Sequence, residues 1–273
     1  MSGQKPYQEN REMEETNSAF MDFIKFLRDF VILLIIVILI RYFVVTPFRI
    51  SGDSMETAYH DGEYILVNRL SYLNFDTHFD NFIGTGSSKN MLQKGAEMIK
   101  KIPLHIGDPV RGDVVVITPH IDTSKEYYIK RVIGMPGDTI RFENGNVSIK
   151  TTQSQSFIEL REPYLSANSK GFTFLPTSVG TQKEFIIPDG HYWVMGDNRQ
   201  NSADSRNCFQ RCTPGNQMHL APRKDIIGRV LLDFGNFDLF KDGEFPKLGT
   251  LKWVHHPRFF DTQRNAEYPE LEK

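Results

Sequence analysis

Cysteine is almost missing: Cys208 and Cys212 are the only two among 273 residues. That excludes a small disulfide-stapled fold. With no second Cys or His pair at finger spacing, it also argues against a structural zinc module. The pair reads either as a disulfide closing a small loop in an exported domain or as two reduced, solvent-facing thiols. No motif brings it near chemistry, so its reading is structural. An excess of one charge is lacking too: 32 Lys and Arg against 34 Asp and Glu leave a net charge of −2, which gives no reason to expect nucleic acid as a partner. There is no G-x-S-x-G elbow and no HExxH pattern, and none of the eight His lies beside an obvious nucleophile. A classical triad and a zinc peptidase are therefore disfavoured, and no cofactor or metal is expected. No internal repeat is visible.

A long apolar run is present. Phe30 to Ile40 is unbroken, Arg41 interrupts it, and Tyr42 to Val45 resumes it before Pro47. As a helix, Phe30 to Val45 covers about 24 Å against a hydrocarbon core of ~30 Å; Phe26 and Leu27 lengthen it, and Lys25, Arg28 and Arg41 suit the interfaces. No small-x-small cleavage motif follows, so the expectation is an uncleaved transmembrane signal anchor at 29–46 after a cytoplasmic tail at 1–28, whose first twenty residues read as poorly ordered. Lys5, Arg11, Lys25 and Arg28 precede the run and favour the N-terminus inside.

Beyond Pro47 the texture becomes short β-type runs: Tyr64–Val67, Asp113–Ile117, Tyr127–Ile133, Thr139–Phe142, Asn146–Ile149, His191–Met195 and Ile226–Leu232. Glu143-Asn-Gly-Asn146 predicts a hairpin turn. The class is mainly β, with one outer catalytic domain at 47–240. Residues 74–107 read as an insertion, about 142–190 as a second β subdomain, and 241–273 as a charged, aromatic tail that either packs on the domain or touches lipid.

Ser54 sits in the turn Ser51-Gly-Asp-Ser-Met-Glu56, directly after the apolar segment. A hydroxyl needs a base beside it to attack near neutral pH. Lys130 lies mid-strand, with Arg131 pointing to the opposite face, so one of the two charges is expected to face inward. A Lys among apolar groups, with Met55 as part of the wall, has its pKa lowered and can serve as that base. Ser202 then orients Lys130. Asp204 and Arg206, two apart, pair if their segment is extended. The Ser54 N–H is the natural first donor to an oxyanion.

Ser54-Met55 with His60-Asp-Gly-Glu63, then Arg111-Gly-Asp-Val-Val-Val116, then Tyr128-Ile-Lys-Arg-Val-Ile-Gly-Met-Pro-Gly-Asp138, then Gly196-Asp-Asn-Arg-Gln-Asn-Ser-Ala-Asp-Ser-Arg206 resemble, in order, the boxes of the bacterial type I signal peptidases. The resemblance implies a catalytic β core with an inserted second β subdomain on the outer face of the cytoplasmic membrane. It implies Ser54 as nucleophile, Lys130 as general base and Ser202 as the group that orients it. Its substrates would be exported preproteins cut at A-x-A-like sites and held as an added strand; the lipid bilayer is the other partner, and a monomer is favoured. The nucleophile box departs from the usual Ser-Met-x-Pro-Thr-Leu at Thr57-Ala58-Tyr59, and Gly52 stands where one branch carries a Ser that donates to the oxyanion. Two further readings stay open: a β domain that binds peptides without cutting them, and a Ser–Lys protease dedicated to one substrate.

Overall fold

The computed structural model describes residues 5–39, 44–56, 58–72, 107–118, 127–154, 156–212, 218–237, 253–258 and 268–271. The chain divides into two units, Met1–Val45 and Thr46–Lys273. In the first, the helix α1 runs from Lys5 to Leu39. The stretch read as a disordered tail is therefore helical from Lys5; Gln, Glu, Arg and Met are all good helix formers. The large apolar side chains from Phe20 to Ile38 are exposed all round the helix, so it has no soluble amphipathic stripe. Among the described residues, no helix is long and apolar enough to cross a membrane. Asp22, Lys25, Arg28 and Asp29 form exposed local ion pairs on the N-terminal side. The part of the apolar run that lies in α1, Phe30–Leu39, covers about 15 Å. Val45 already belongs to a strand.

The second unit is mainly β. Its larger sheet has seven strands: β1 (Val45–Arg49), β2 (Tyr64–Asn68), β3 (Val114–Ile117), β4 (Tyr128–Gly134), β9 (His191–Met195), β10 (Ala221–Pro222) and β11 (Ile226–Asp233), in the order β1-β2-β11-β3-β4-β9-β10. β5 (Thr139–Glu143), β6 (Asn146–Lys150), β7 (Ile158–Glu159) and β8 (Glu184–Ile186) form a separate sheet of four, inserted in the chain between the paired neighbours β4 and β9. The β5–β6 turn is the one the sequence specifies: Asn144 and Gly145 adopt φ of 51° and 80°, the left-handed pair a two-residue hairpin needs. The insertion expected at 74–107 lies, but for Gly107, outside the described residues.

Both faces of the larger sheet are covered. Val114 and Val116 pack with Ile50, Met55, Ile65 and Val67, whereas Val115 and Ile117 pack with Val132, Tyr192, Val194 and Phe209. That is why β3 is a continuous apolar run and not an alternating one. A third core, around Ile140, Ile149, Phe185 and Trp193, joins the inserted sheet to β4 and β9. The described parts of the tail pack on this domain: β13 (Trp253–His255) pairs with β12 (Asn236–Phe237), Arg258 bridges to Asp233, and Tyr268 enters the third core.

Candidate active site

Ser54 is carried on a loop closed at its base by backbone bonds from Ile50 N to Glu63 O and from Gly62 N to Ile50 O, each 2.9 Å. Inside the loop, Glu56 N donates to Asp53 O at 3.0 Å, and Ala58 N and Tyr59 N both donate to Met55 O at 2.9 Å. Met55 and Tyr59 are buried and anchor the loop in the core below it. Tyr59 thus supplies an apolar anchor from within the departing part of the nucleophile box. Met55 is part of this foundation.

Lys130 comes from β4, between β3 and β9. β9 ends at Met195, opposite Arg131, and the loop from Gly196 follows. That loop meets the Ser54 turn: Asn198 N donates to Ser54 O at 3.1 Å and Asn198 Nδ2 to Asp53 O at 3.1 Å. Asn201 Nδ2 donates to both carboxylate oxygens of Asp53, at 2.9 and 3.0 Å. Gly196 permits the approach, because a Cβ there would fall 2.4 Å from Ser54 O and 2.3 Å from Ser202 Oγ.

The result is a direct contact. Lys130 Nζ donates to Ser54 Oγ at 2.7 Å and to the Ile129 carbonyl at 2.8 Å, and lies 5.4 Å from the Tyr128 ring centre. Burial pushes its pKa down to about 8; the negative charges of Asp204 and Asp197 oppose that shift and Arg206 adds to it. When the amine is neutral, the same contact lets the Ser54 hydroxyl donate to the nitrogen lone pair, which is the geometry of a serine with its base.

The expectation that one of Lys130 and Arg131 faces inward needs correction: both are buried, because β4 is an interior strand covered on both sides. Arg131 is neutralised by a two-pronged pair with Asp197, at 2.9 and 2.6 Å, and its guanidinium lies 4.0 Å from the Tyr164 ring centre. Asp204 and Arg206 do pair in a fork, at 3.0 and 2.8 Å. The segment is not extended, however: Asp204 caps a short 3₁₀ turn over Ser205–Gln210 and also accepts from Gly196 N at 3.0 Å. Burial alone would raise the Asp204 carboxyl, but Arg206 and these N–H groups hold it below its ordinary value. Ser202 lies against Gly196 beside the Ser54 turn, yet its Oγ is buried without a hydrogen-bond partner and makes no bond to Lys130. Ile129 O takes that place.

Two further elements of the site escape a reading by motif. Asp53, Asn198 and Asn201 clamp the turn, and Arg131 with Asp197 fixes the loop. Asp197, Asn198 and Asn201 lie inside the Gly196–Arg206 stretch, so their polar side chains were the available signal. Cys208 and Cys212 form a disulfide. It is nearer Lys130 than its sequence context suggests, for Phe209 faces Tyr128 at 6.4 Å between ring centres. A cavity of about 100 Å³ opens beside Ser54 and Lys130, between Phe48 of β1 and Tyr127, Tyr128 and Ile129 at the start of β4. A larger cleft of about 390 Å³ lies by the inserted sheet, lined by Glu162, Lys170 and Thr173.

Residues 23–234 match the model of the family described as signal peptidase, peptidase S26. The chain belongs to this family. It is 32% identical over 205 residues to signal peptidase I of Bacillus amyloliquefaciens, covering 75% of this chain and 83% of that one. It is 34% identical over 178 residues to signal peptidase I T of Bacillus subtilis, covering 65% and 72%. Signal peptidase I of Pseudomonas aeruginosa is 29% identical over 251 residues, covering 84% of this chain and 78% of the relative. The protein is accordingly a serine peptidase, a hydrolase of the S26 family.

Proposed function

We propose that this protein is a membrane-anchored endopeptidase that removes signal peptides from exported preproteins by a Ser54–Lys130 dyad. One observation carries the reading: a fully buried lysine amine held 2.7 Å from a serine hydroxyl, with its pKa lowered to about 8. Neutral Lys130 takes the Ser54 proton as Oγ attacks the scissile carbonyl. The resulting ammonium returns that proton to the leaving amine, and an acyl-Ser54 ester remains. Lys130 then takes a proton from water to hydrolyse the ester. The Ser54 N–H is the first donor to the oxyanion. Asp204 is held in place by Arg206 and favours the transient ammonium, so its charge supports the proton transfer without accepting the proton. Ser202 Oγ, buried and unpartnered, has acceptor capacity to offer the ammonium once Lys130 lets go of Ser54.

The small cavity between β1 and β4 suits the small side chains of an A-x-A-like site, and an extended substrate segment fits the gap between these strands. The apolar sequence Phe30–Ile40 and Tyr42–Val45, followed by the catalytic unit, supports a single anchor. Lys5, Arg11, Lys25 and Arg28 before it support an inside N-terminus and a catalytic unit on the outer face of the cytoplasmic membrane. The test is cleavage of a model preprotein with an Ala-x-Ala site by the full chain in detergent, beside Lys130→Ala. Cleavage at that site by the wild type and none by the variant is expected. Binding without turnover in the wild type would replace this reading with a peptide-binding domain.

A further inference from the structure

Residues 255–270 of the C-terminal segment, beyond residues 23–234 that match the family, make two sets of contacts with that matched part. Both end on elements that hold the site. At the first, Arg258 Nη2 donates to Glu63 Oε1 at 2.7 Å, its Nε lies 3.3 Å from Asp233 Oδ2, and its N donates to Asp233 O at 3.0 Å. Glu63 is fully buried, and its Oε2 accepts from His60 N at 3.0 Å. Glu63 therefore closes the base of the Ser54 loop twice, through its backbone and through its carboxylate. A buried carboxylate stripped of its cation is strongly destabilising, so the loop base depends on Arg258. The His255 ring stacks on His60 at 4.3 Å between centres, extending the same contact.

At the second, Tyr268 is 5% exposed and its hydroxyl lies 2.8 Å from that of Tyr164. Glu270 Oε1 accepts from Arg161 N at 2.8 Å. Tyr164 is the hinge of the network behind the catalytic loop. Its ring underlies Arg131, and its hydroxyl donates to Glu162 at 2.6 Å. Glu162 pairs with Arg199, whose Nε donates to Gly196 O at 3.1 Å. Arg131 and Arg199 thus tie the Gly196–Asn201 loop, the clamp on Asp53 and Ser54, to a tyrosine that the tail covers.

We propose that the C-terminal segment is a two-point clasp that sets the Ser54–Lys130 geometry, with Arg258 and Tyr268 as positioning residues. This rests on the reading of Ser54 and Lys130 as nucleophile and base. Releasing either point loosens the Ser54 loop or its clamp, lengthens the contact between hydroxyl and amine, and lets water reach Lys130. The chemical step slows, because small misplacements of reacting groups are costly. The substrate cavity, walled by Phe48, Tyr127 and Ile129, keeps its shape.

The test compares full-length Arg258→Gln, Arg258→Lys and Tyr268→Phe, and a chain ending at residue 267, with the wild type in detergent on the same preprotein. Lys130→Met is carried alongside. The expected result is a kcat lower by on the order of tenfold in Arg258→Gln and in the shortened chain, with KM within about twofold of wild type and the midpoint of the pH–rate curve moved upward. Arg258→Lys and Tyr268→Phe, which keep the charge or the ring, recover part of the loss. Thermal unfolding identifies folded variants; if Arg258→Gln does not fold, Arg258→Lys and the shortened chain decide. Folded variants with wild-type kcat and pH midpoint overturn the proposal. So does a loss confined to KM, or one that disappears well below the unfolding temperature. A wild type that does not cleave, or a Lys130→Met that does, would defeat the dyad reading itself and is a separate result.

Discussion

Lys130 Nζ stands 2.7 Å from Ser54 Oγ while the lysine keeps only 2% of its surface exposed. In the proposed mechanism the contact and the burial act together: burial weakens the amine's hold on its own proton, and the contact places the Ser54 hydroxyl within its reach. With a pKa lowered to about 8, the neutral amine that the proposed dyad requires is the minor form at neutral pH. Cleavage measured under single-turnover conditions should therefore fall about tenfold per pH unit below that value and level off above it. A rate independent of pH between 6 and 9 would contradict the dyad. Lys130→Arg should be inactive at every pH, since a guanidinium keeps its proton.

The same shift has a consequence for stability. The folded pKa lies below the ordinary lysine value of 10.5, so the unfolded chain binds the extra proton. The cost of burying Lys130 is fully present below pH 8, shrinks as pH rises from 8 to 10.5, and is gone above that. Lys130→Met removes the group and keeps most of its volume. We expect this variant to be more stable than wild type at pH 7, by up to about 3 kcal/mol, and the two to converge by pH 10.5. Thermal unfolding of both proteins at several pH values reads this directly. A variant less stable than wild type at pH 7 would mean that the amine's hydrogen bonds outweigh its burial.

Ser202 separates structural from catalytic roles with opposite signs. Its buried hydroxyl has no hydrogen-bond partner, so it costs the fold and does not support it. Ser202→Ala should leave the unfolding temperature unchanged or raise it. If the hydroxyl receives the ammonium during turnover, kcat should fall by on the order of tenfold or more with little change in KM. Unchanged kcat would remove Ser202 from the mechanism.

Asn201 offers a cleaner probe of the clamp, because its two bonds to Asp53 lie at an exposed position. Asn201→Ala should change stability by less than about 1 kcal/mol. It should nevertheless lower kcat severalfold by freeing the turn that aims Ser54. Equal losses in kcat and unfolding temperature across a series at this position would reduce the clamp to a purely structural contact.

Much of this architecture is local and was therefore legible. The Asn144-Gly145 turn, the strand around Lys130 and the Asp204–Arg206 pair are set by residues within a few positions of each other. The parts that escaped are pairings across long stretches of chain. That Arg131 is buried follows only from Asp197, 66 residues away, and the Asp53–Asn201 clamp spans 148. The Arg258–Glu63 bridge spans 195. A strand read in isolation shows two adjacent charges and suggests one face wet; only the sheet order reveals that both faces are covered. The Asp204–Arg206 pair forms at the start of a turn, not along an extended segment, since the carboxylate serves the turn that follows and Gly196 as well as Arg206.

The Cys208–Cys212 disulfide closes a turn that ordinary residues resist. Cys208, Phe209 and Gln210 all adopt positive φ, at 50°, 54° and 66°. None is glycine, and each such residue costs about 1–2 kcal/mol. Against that cost stand the disulfide, the bond from Phe209 N to Asp204 O at 2.8 Å, and the packing of Phe209 in the core with Tyr192 and Val194. Cutting so short a covalent loop should lower stability by about 2 kcal/mol. The left-handed turn would then relax toward ordinary backbone and withdraw Phe209 from Tyr128, the ring beside Lys130. Reduction by dithiothreitol should therefore lower both the unfolding temperature and kcat. The Cys208→Ser, Cys212→Ser double variant should show the same losses and no further response to the reductant. A double variant with wild-type stability and rate would mean that Asp204 and the core hold the turn unaided.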